Sequence, residues 1–306
     1  YEIITCYTFP YAFKRKGYHH TLMQAPAHPI KLLALDIDGT LLDPHKHITP
    51  RTLTAIQAAQ EAGVTITLAT ARRYRNSGPI ASKLGIDIPL ILCDGALIIE
   101  HPQGQILHTR PLQADIAQQA ANIMIQHHIQ PVIHHIYSGI EETWTGPEHF
   151  DTSWLKLYLN AIPQNLKRLP LERLCTGQPD PLRVVAFASE EKIDKLLPEI
   201  MKLPCSWDAI KRGNYGCAEL VAMHHGCSKA HGVQTLAALL DLDMEQVMAI
   251  GDNTNDCAML QAVGWGVAMG QATEEVKAYA QATTASNAED GVALAIERYI
   301  LQTATI

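Results

Sequence analysis

The chain has 306 residues and a formal net charge of −7, and 47% of its residues are hydrophobic while 18% are charged. This composition is typical of globular domains and excludes a largely disordered protein, and the length allows two domains. The negative charge and the lack of a basic block give no source for the phosphate contacts of a nucleic-acid-binding protein. No apolar run approaches the ~18 residues of a membrane span.

Seven cysteines occur without any C-x-x-C pair, at positions 6, 93, 175, 205, 217, 227 and 257. An odd count without such spacing favours reduced thiols and a cytoplasmic protein. The first 29 residues carry a basic cluster at 14–16, but no apolar region or small-residue cleavage site follows it. We therefore expect residues 1–29 to be an N-terminal extension outside the fold, and not a signal peptide.

The stretch 31–43, KLLALDIDGTLLD, is an apolar run that ends in two aspartates and a glycine turn. Such a run predicts a central parallel strand that is covered on both faces. Ligands bind parallel sheets at the carboxyl ends of the strands, and Asp36 and Asp38 lie at the carboxyl end of this strand. Two carboxylates this close raise each other's pKa, and a divalent cation in phosphoryl chemistry would relieve the repulsion. Taken alone, the stretch is also compatible with a strand that ends in a simple Asp-Gly turn.

The following segments predict further parallel strands joined by helices. Thr49 is a helix N-cap and Pro50 suits the first helical turn. A right-handed crossover would then place Thr70, at the end of the next strand, on the same edge of the sheet as Asp36. The predicted elements are a helix, a strand, a second helix, and an interrupted strand that continues into a hairpin, at 50–62, 64–69, 75–84 and 88–110.

From Pro111 the pattern changes to short strands and helices in mixed order, which is typical of an α+β insert. The predicted helices and strands of the insert lie at 113–128, 131–137, 140–145, 151–160, 182–188, 190–201, 205–210 and 215–221, with a polar connection at 161–181. Alternating helices and strands resume at 228–240, 247–250, 256–262, 264–268 and from 292. We predict an α/β fold in which a doubly wound Rossmann-like parallel-sheet core, residues 30–110 and 223–306, carries an inserted α+β domain, residues 111–222.

A second acidic loop follows the strand at 247–250 and contains Asp252 and Asp256. Together with the first loop it would bring four aspartates to one edge of the sheet. Ligands that are all oxygens point to Mg²⁺ over Zn²⁺. Lys229 would supply compensating positive charge, although a solvated lysine is the alternative, and Thr70 could equally cap a helix.

These motifs resemble, in order and spacing, the four motifs of the haloacid dehalogenase superfamily: Asp36-Ile37-Asp38-Gly39-Thr40, Thr70, Lys229, and Gly251-Asp252 followed by Asn255-Asp256. The large insert, together with LILCDGALI, VAMGQA and NAEDGVA, resembles the Cof-type (subclass IIB) phosphatases of that superfamily. The resemblance covers residues 31–300. It implies that the insert is a cap domain that closes over a phosphate site and selects the leaving group.

The resemblance also implies the role of each motif residue. Asp36 would be the nucleophile that forms an aspartyl-phosphate, and Asp38 would be the general acid and then the general base. Asp256 would orient Lys229 and not bind metal. The implied Mg²⁺ ligands are Asp36, the backbone carbonyl of Asp38, and Asp252. The implied phosphate contacts are the backbone amides of Ile37 and Ala71 and the side chains of Thr70, Lys229 and Asn255.

Three positions differ from the usual family pattern. Ala71 and Ala230 stand where glycine is common, and Asp94 stands where the family usually has asparagine. Ala71 would cost ~1 kcal/mol if its backbone needed a positive φ. Asp94 adds a negative charge near the substrate and weakens any inference about substrate preference.

We therefore predict a phosphoric monoester hydrolase of the haloacid dehalogenase type. It would be a Mg²⁺-dependent phosphatase of small phosphorylated metabolites, such as sugar phosphates, nucleotides or phosphorylated cofactor precursors. Neither nucleic acid nor a membrane would be a partner, and the protein would be a monomer or a weak homo-oligomer. The alternatives are a phosphosugar mutase of the same architecture and a non-catalytic phosphometabolite-binding module, and the presence of both Asp36 and Asp38 argues against the second.

Overall fold

A computed structural model describes residues 25–137, 139–161, 165–211, 213 and 215–302. Of the predicted N-terminal extension, positions 1–24, including Cys6, lie outside the described residues, and 25–29 form neither helix nor strand. The chain divides into two compact units. The first consists of the described part of Tyr1–His108 together with Ser228–Ile306, and the second is Thr109–Cys227. The domain boundaries predicted from the sequence, at residues 110/111 and 222/223, stay a prediction.

The helices and strands follow the predicted order closely. The first part of the chain contains β1 (Leu32–Leu35), α1 (Pro50–Glu61), β2 (Thr65–Leu68), α2 (Tyr74–Lys83), β3 (Leu90–Leu92), β4 (Leu97–Ile99) and β5 (Ile106–Thr109). The second unit contains α3 (Ala114–Gln126), β6 (Val132–Tyr137), β7 (Ile140–Thr145), α4 (Ser153–Asn160), β8 (Leu166–Arg168), β9 (Arg183–Ala188), α5 (Glu190–Ile200), β10 (Cys205–Ile210) and β11 (Ala218–His224). The last part contains α6 (Lys229–Leu239), β12 (Val247–Gly251), α7 (Cys257–Ala262), β13 (Trp265–Ala268), α8 (Glu274–Lys277), β14 (Ala282–Thr283) and α9 (Gly291–Tyr299).

The first unit is built on a five-stranded parallel sheet with strand order β14-β13-β12-β1-β2. Strand β1, which lies between β12 and β2, is fully buried along its length, so both faces of the strand are covered. In the register of the sheet, Leu35 lies beside Ile250 on one side and Leu68 on the other. The residues that follow these three neighbouring strands therefore emerge at the same edge of the sheet.

Helix α6 packs on one face of this sheet through an apolar cluster that includes Leu32, Ala34, Val233 and Leu236. At the start of α1, the Thr49 side chain accepts a hydrogen bond from the Thr52 backbone N–H, as predicted for the N-cap. A smaller sheet of order β3-β4-β5 adjoins the first unit's main sheet through a parallel bridge between Ala69 and Ile91.

The second unit contains a six-stranded sheet of order β10-β11-β9-β6-β7-β8. Its pairs are antiparallel except for β7 and β8. Helices α3 and α5 cover one face around the fully buried Trp144. The predicted fold class, an α/β parallel-sheet core with an inserted α+β domain, is confirmed. One expectation was wrong: the polar connection at 161–181 contains strand β8, which pairs with β7 as an edge strand.

Two sequence-based expectations concern the whole chain. Among the described residues, the six cysteines are all buried and free. Within the same residues, no helix combines the length and the apolar character that crossing a bilayer would require.

Candidate active site

Lys229 links two aspartates at the carboxyl edge of the parallel sheet. Its Nζ lies 2.6 Å from Asp36 Oδ1 and 2.7 Å from Asp256 Oδ1. Lys229 is 1% exposed, so it is not the solvated lysine that the sequence left open. It is the first residue of α6, and the side chain of the preceding residue, Ser228, caps the helix by accepting from the His231 N–H. Helix α6 thus places the Lys229 ammonium group beside Asp36, which directly follows β1.

The acidic loop after β12 is held in shape by its own side chains. Asp256 Oδ2 accepts hydrogen bonds from the backbone N–H groups of Asp252 (2.9 Å) and Asn253 (3.0 Å). Both carboxylate oxygens of Asp256 therefore already have donors, the second of them being Lys229. Asp252 is held from the other loop, because Thr40 Oγ1 donates to Asp252 Oδ1 at 2.8 Å. Gly39, at φ +84°, lets the first loop approach, since a Cβ at that position would overlap the Asp252 carboxylate.

Three carboxylates share this site, which we call the carboxylate cluster: Asp36, Asp252 and Asp256. One oxygen from each lies within 4.8 Å of the others. Burial and the two neighbouring carboxylates raise the pKa of Asp36 well above its usual value, against the opposing charge of Lys229. Burial, with the charge of Asp256, raises the pKa of Asp252 to about 6. The pKa of Lys229 is also raised, because the charges of Asp256 and Asp36 outweigh the effect of burial.

The charges and donor atoms of the cluster fit a hard divalent cation. Three carboxylates face one lysine, so the buried group carries excess negative charge when all its members are ionised. Burial, together with this excess negative charge, raises the pKa values of Asp36 and Asp252. All the available donors are oxygens, as Mg²⁺ requires. The described residues therefore include an acidic cluster that could hold a metal ion.

The side chain of Asp38 points to basic residues and not into the carboxylate cluster. Arg72 donates to it through two nitrogens, Nε to Oδ2 at 2.6 Å and one Nη to Oδ1 at 2.7 Å. Lys46 Nζ lies 3.2 Å from Asp38 Oδ1. We call these three residues the Asp38 clamp. Burial alone would raise the pKa of Asp38, but the hydrogen bonds and charges of Arg72 and Lys46 bring it below its usual value.

The segment after β2 brings Thr70 and Ala71 to the same edge of the sheet. Thr70 is 1% exposed, and its Oγ1 accepts from the Arg72 backbone N–H at 3.2 Å. Ala71 is not among the described residues with positive φ, so alanine causes no backbone strain there. Ile37 is fully buried, and only its backbone can serve a ligand. Asn255 lies on the loop after β12 and donates from Nδ2 to Asp94 Oδ1 at 3.1 Å.

Several residues of the site were missed by the sequence analysis. Arg72 and Lys46 hold Asp38, and Thr40 holds Asp252, yet none of them was assigned a role. A signal for two of them was present, because Arg72 and Thr40 each lie two residues beyond a predicted site residue on the same strand end. Lys46 lies on the loop before α1, where local sequence does not show which carboxylate it reaches.

Comparison with known proteins agrees with this geometry. A family model of haloacid dehalogenase-like hydrolases matches residues 33–296. The pyridoxal phosphate phosphatase YbhA of Escherichia coli is 27% identical over 281 residues, which is 89% of this chain and 99% of that protein. The 5-amino-6-(5-phospho-D-ribitylamino)uracil phosphatase YitU of Bacillus subtilis is 28% identical over 275 residues, which is 88% of this chain and 97% of that protein.

Among solved structures, the subclass IIB sugar phosphatase BT4131 superposes with a TM-score of 0.72 at 24% identity, over 88% of this chain and 98% of that one. This likeness shows the fold. The chain belongs to the haloacid dehalogenase-like hydrolase family. The predicted resemblance to the Cof-type phosphatases and the predicted enzyme class, a phosphoric monoester hydrolase of this type, are confirmed.

Proposed function

We propose that this hydrolase is a Mg²⁺-dependent phosphatase of small phosphorylated metabolites that works through an aspartyl-phosphate on Asp36. The observation that carries the proposal is the position of Asp36. It directly follows β1, is 4% exposed, and lies beside Lys229 and the carboxylates of the acidic loop. A nucleophilic carboxylate needs a neighbouring cation to let a negatively charged phosphate approach, and this position supplies one.

In the first step, an Asp36 carboxylate oxygen attacks phosphorus, and the bond between phosphorus and the ester oxygen breaks. Asp38 transfers its proton to the departing ester oxygen, so an alcohol leaves and an aspartyl-phosphate remains. Because the Asp38 clamp lowers the pKa of this carboxyl, Asp38 is ionised before the substrate binds and must then take up a proton from water. In this proposal, Arg72 fixes the direction of the Asp38 carboxylate through its two hydrogen bonds.

In the second step, Asp38 accepts a proton from water, and the water oxygen attacks phosphorus. The bond between phosphorus and Asp36 breaks, which releases inorganic phosphate and restores the Asp36 carboxylate. Lys229, Thr70, Asn255 and the backbone amides of Ile37 and Ala71 would hold the phosphoryl oxygens in both steps, which is the stabilisation such a transition state needs. This set of contacts is proposed from the position of each residue at one edge of the sheet.

Asp36, the backbone carbonyl of Asp38, and Asp252 would hold Mg²⁺. The ion would offset the negative charge of the carboxylates and of the phosphoryl group. Asp256 is assigned to positioning and not to the metal, because both its oxygens already accept hydrogen bonds from Lys229 and the loop amides.

The substrate class rests on the relatives. The names of two of them specify pyridoxal phosphate and a phosphoribitylamino-uracil, both small phosphorylated metabolites with a ring. We propose the same general class here, with sugar phosphates and nucleotides as further candidates. The cap role predicted for residues 111–222 stays a prediction.

The test is phosphate release from an aryl phosphate with Mg²⁺ and with excess chelator. We expect turnover with Mg²⁺ and its loss with chelator. Asp36→Asn should be inactive, and Asp243→Asn, which makes the same change in an exposed loop, should match the wild type. Equal release by Asp36→Asn and the wild type would rule out the proposal.

A panel of phosphorylated metabolites then defines the substrate. Phosphate released to water from one of them supports a phosphatase. Transfer of the phosphoryl group to a sugar, with a requirement for a hexose bisphosphate, would instead support a mutase and contradict the proposed reaction.

A further inference from the structure

A left-handed turn of three residues lies beside the proposed phosphate site. Cys93, Asp94 and Gly95 have φ values of 51°, 54° and 84°, and all three are buried. Two consecutive residues with side chains rarely adopt this conformation, because the Cβ approaches the backbone. The surrounding contacts must therefore hold the turn in place, and such strain is often found at functional sites.

The backbone of this turn contacts two of the segments that carry proposed phosphate ligands. Asp94 N–H donates to the Thr70 carbonyl at 3.1 Å, and Cys93 N–H donates to the Arg72 carbonyl at 3.1 Å. Gly95 packs so closely on the start of α6 that a Cβ would overlap the Ser228 carbonyl oxygen. The turn thus joins the end of β2 to the helix that begins with Lys229.

The Asp94 side chain contacts a third segment, the acidic loop after β12. It is 2% exposed, and its Oδ1 accepts the Asn255 Nδ2 hydrogen bond. The Nδ2 nitrogen of Asn255 carries two N–H groups. Because one of them donates to Asp94, the direction of the other N–H is fixed. The charge of Asp94 also reaches Lys229, whose pKa it helps to raise.

We propose that Asp94 is a positioning residue that sets how tightly the site holds a phosphate group. It orients the Asn255 carboxamide, and it places a fixed negative charge beside the two groups that would bind phosphate. A phosphatase must release inorganic phosphate through the same contacts that bind its substrate, and a nearby carboxylate favours release. This inference rests on the proposed function.

Two substitutions separate the side chain from the backbone. Asp94→Asn removes the charge, keeps an acceptor oxygen and tolerates the left-handed conformation. Asp94→Gly removes the side chain and favours that conformation. A purely structural role in the turn predicts that both variants behave like the wild type.

The measurements are kcat and KM for an aryl phosphate, the inhibition constant of inorganic phosphate, and the rise in Tm that phosphate causes with Mg²⁺ present. We expect Asp94→Asn to lower both the KM and the inhibition constant by about fivefold, the scale of one partly screened charge pair, and to increase the rise in Tm. Compared with Asp94→Asn, Asp94→Gly should lose about tenfold in kcat/KM, a typical effect of an unfixed ligand group. That loss should vanish in an Asn255→Ala background, where no carboxamide remains to be oriented.

Asp241→Asn is the matched control. Asp241 also has a left-handed backbone, with φ 55°, and it follows the far end of α6, about 16 Å from Lys229 along the helix. The control should leave the inhibition constant of phosphate unchanged.

Two results would overturn the inference: an Asp94→Asn variant whose inhibition constant equals or exceeds that of the wild type, or an Asp94→Gly loss that persists in full without Asn255. If the wild type neither hydrolyses the aryl phosphate nor gains stability with phosphate, the proposed function fails as well. If the wild type does both and Asp94→Asn is unchanged, only the role of Asp94 fails.

Discussion

The carboxylate cluster and the Asp38 clamp lie at two ends of one short turn, yet their charges are opposite. In the cluster, three carboxylates, two of them buried, lie close together, and one lysine contacts Asp36 and Asp256. In the clamp, one partly exposed carboxylate has an arginine and a lysine. Ile37 is the single residue between the two aspartates that belong to these regions.

In the proposed mechanism, this difference in charge matches a separate task for each region. In the cluster, burial and neighbouring carboxylates raise the pKa values of Asp36 and Asp252, and such a group favours a cation. A carboxylate that is held by two cations has a lowered pKa and a fixed direction. The proposed mechanism gives Asp36 the roles of nucleophile and metal ligand and gives Asp38 the role of proton carrier. The two residues are of the same type, and only their surroundings differ.

The largest expected effect is on kcat, and it tests the carboxylate cluster through Asp36, the proposed nucleophile. Asp36→Asn should lower kcat for an aryl phosphate by roughly 10⁴-fold or more, because no covalent intermediate can form. Circular dichroism should show an unchanged fold. Activity within tenfold of the wild type would mean that another group attacks phosphorus and that the two regions do not divide the work as proposed.

The second prediction tests the charge balance of the cluster. Lys229→Met leaves buried carboxylates without their cation and should lower the free energy of unfolding by about 3–5 kcal/mol in urea with chelator present. Mg²⁺ should recover part of this loss. Lys211→Met, which breaks an exposed 2.7 Å pair with Glu190, should cost less than about 1 kcal/mol. Similar losses in the two variants would contradict the view that the cluster depends on Lys229.

The third prediction tests the clamp. Arg72→Lys keeps the positive charge but cannot make the two parallel hydrogen bonds, so Asp38 should lose its direction and kcat should fall about tenfold. Arg51 makes a comparable two-nitrogen contact with Glu297 on the surface, and Arg51→Lys should leave kcat unchanged. An Arg72→Lys variant with full activity would show that charge alone is enough for the clamp.

The smallest effect is on stability when metal is removed. Mg²⁺ at about five times its dissociation constant should stabilise the protein by about 1 kcal/mol, measured as the rise in Tm over a sample with chelator. At the same Mg²⁺ concentration, Asp252→Asn should show a smaller rise in Tm, because the substitution removes one charged ligand of the proposed metal site. An equal rise in the wild type and in Asp252→Asn would exclude Asp252 from the metal site.

The sequence was most informative where apolar patterns and caps act locally. The structure confirms the predicted capped start of α1 at Thr49 and Pro50 and the predicted buried strand β1. Apart from β8, it also confirms the predicted order of elements in the insert. Strand β8 was missed because Leu166–Arg168 has no apolar alternation, and it is held as a strand only by pairing with β7. Helix α8 and strand β14 are short, and their residues have no periodicity that could have predicted them.

The amino-acid sequence alone determined the family, the fold class and the aspartates at the carboxyl ends of the strands, because these follow from local pattern and motif spacing. The tertiary structure decided which partners these aspartates have. Asp36 meets Lys229 across 193 residues, Thr40 meets Asp252 across 212, and Asp94 meets Asn255 across 161. The parallel sheet brings such distant segments to one edge, and the charge that surrounds each aspartate exists only once they are there.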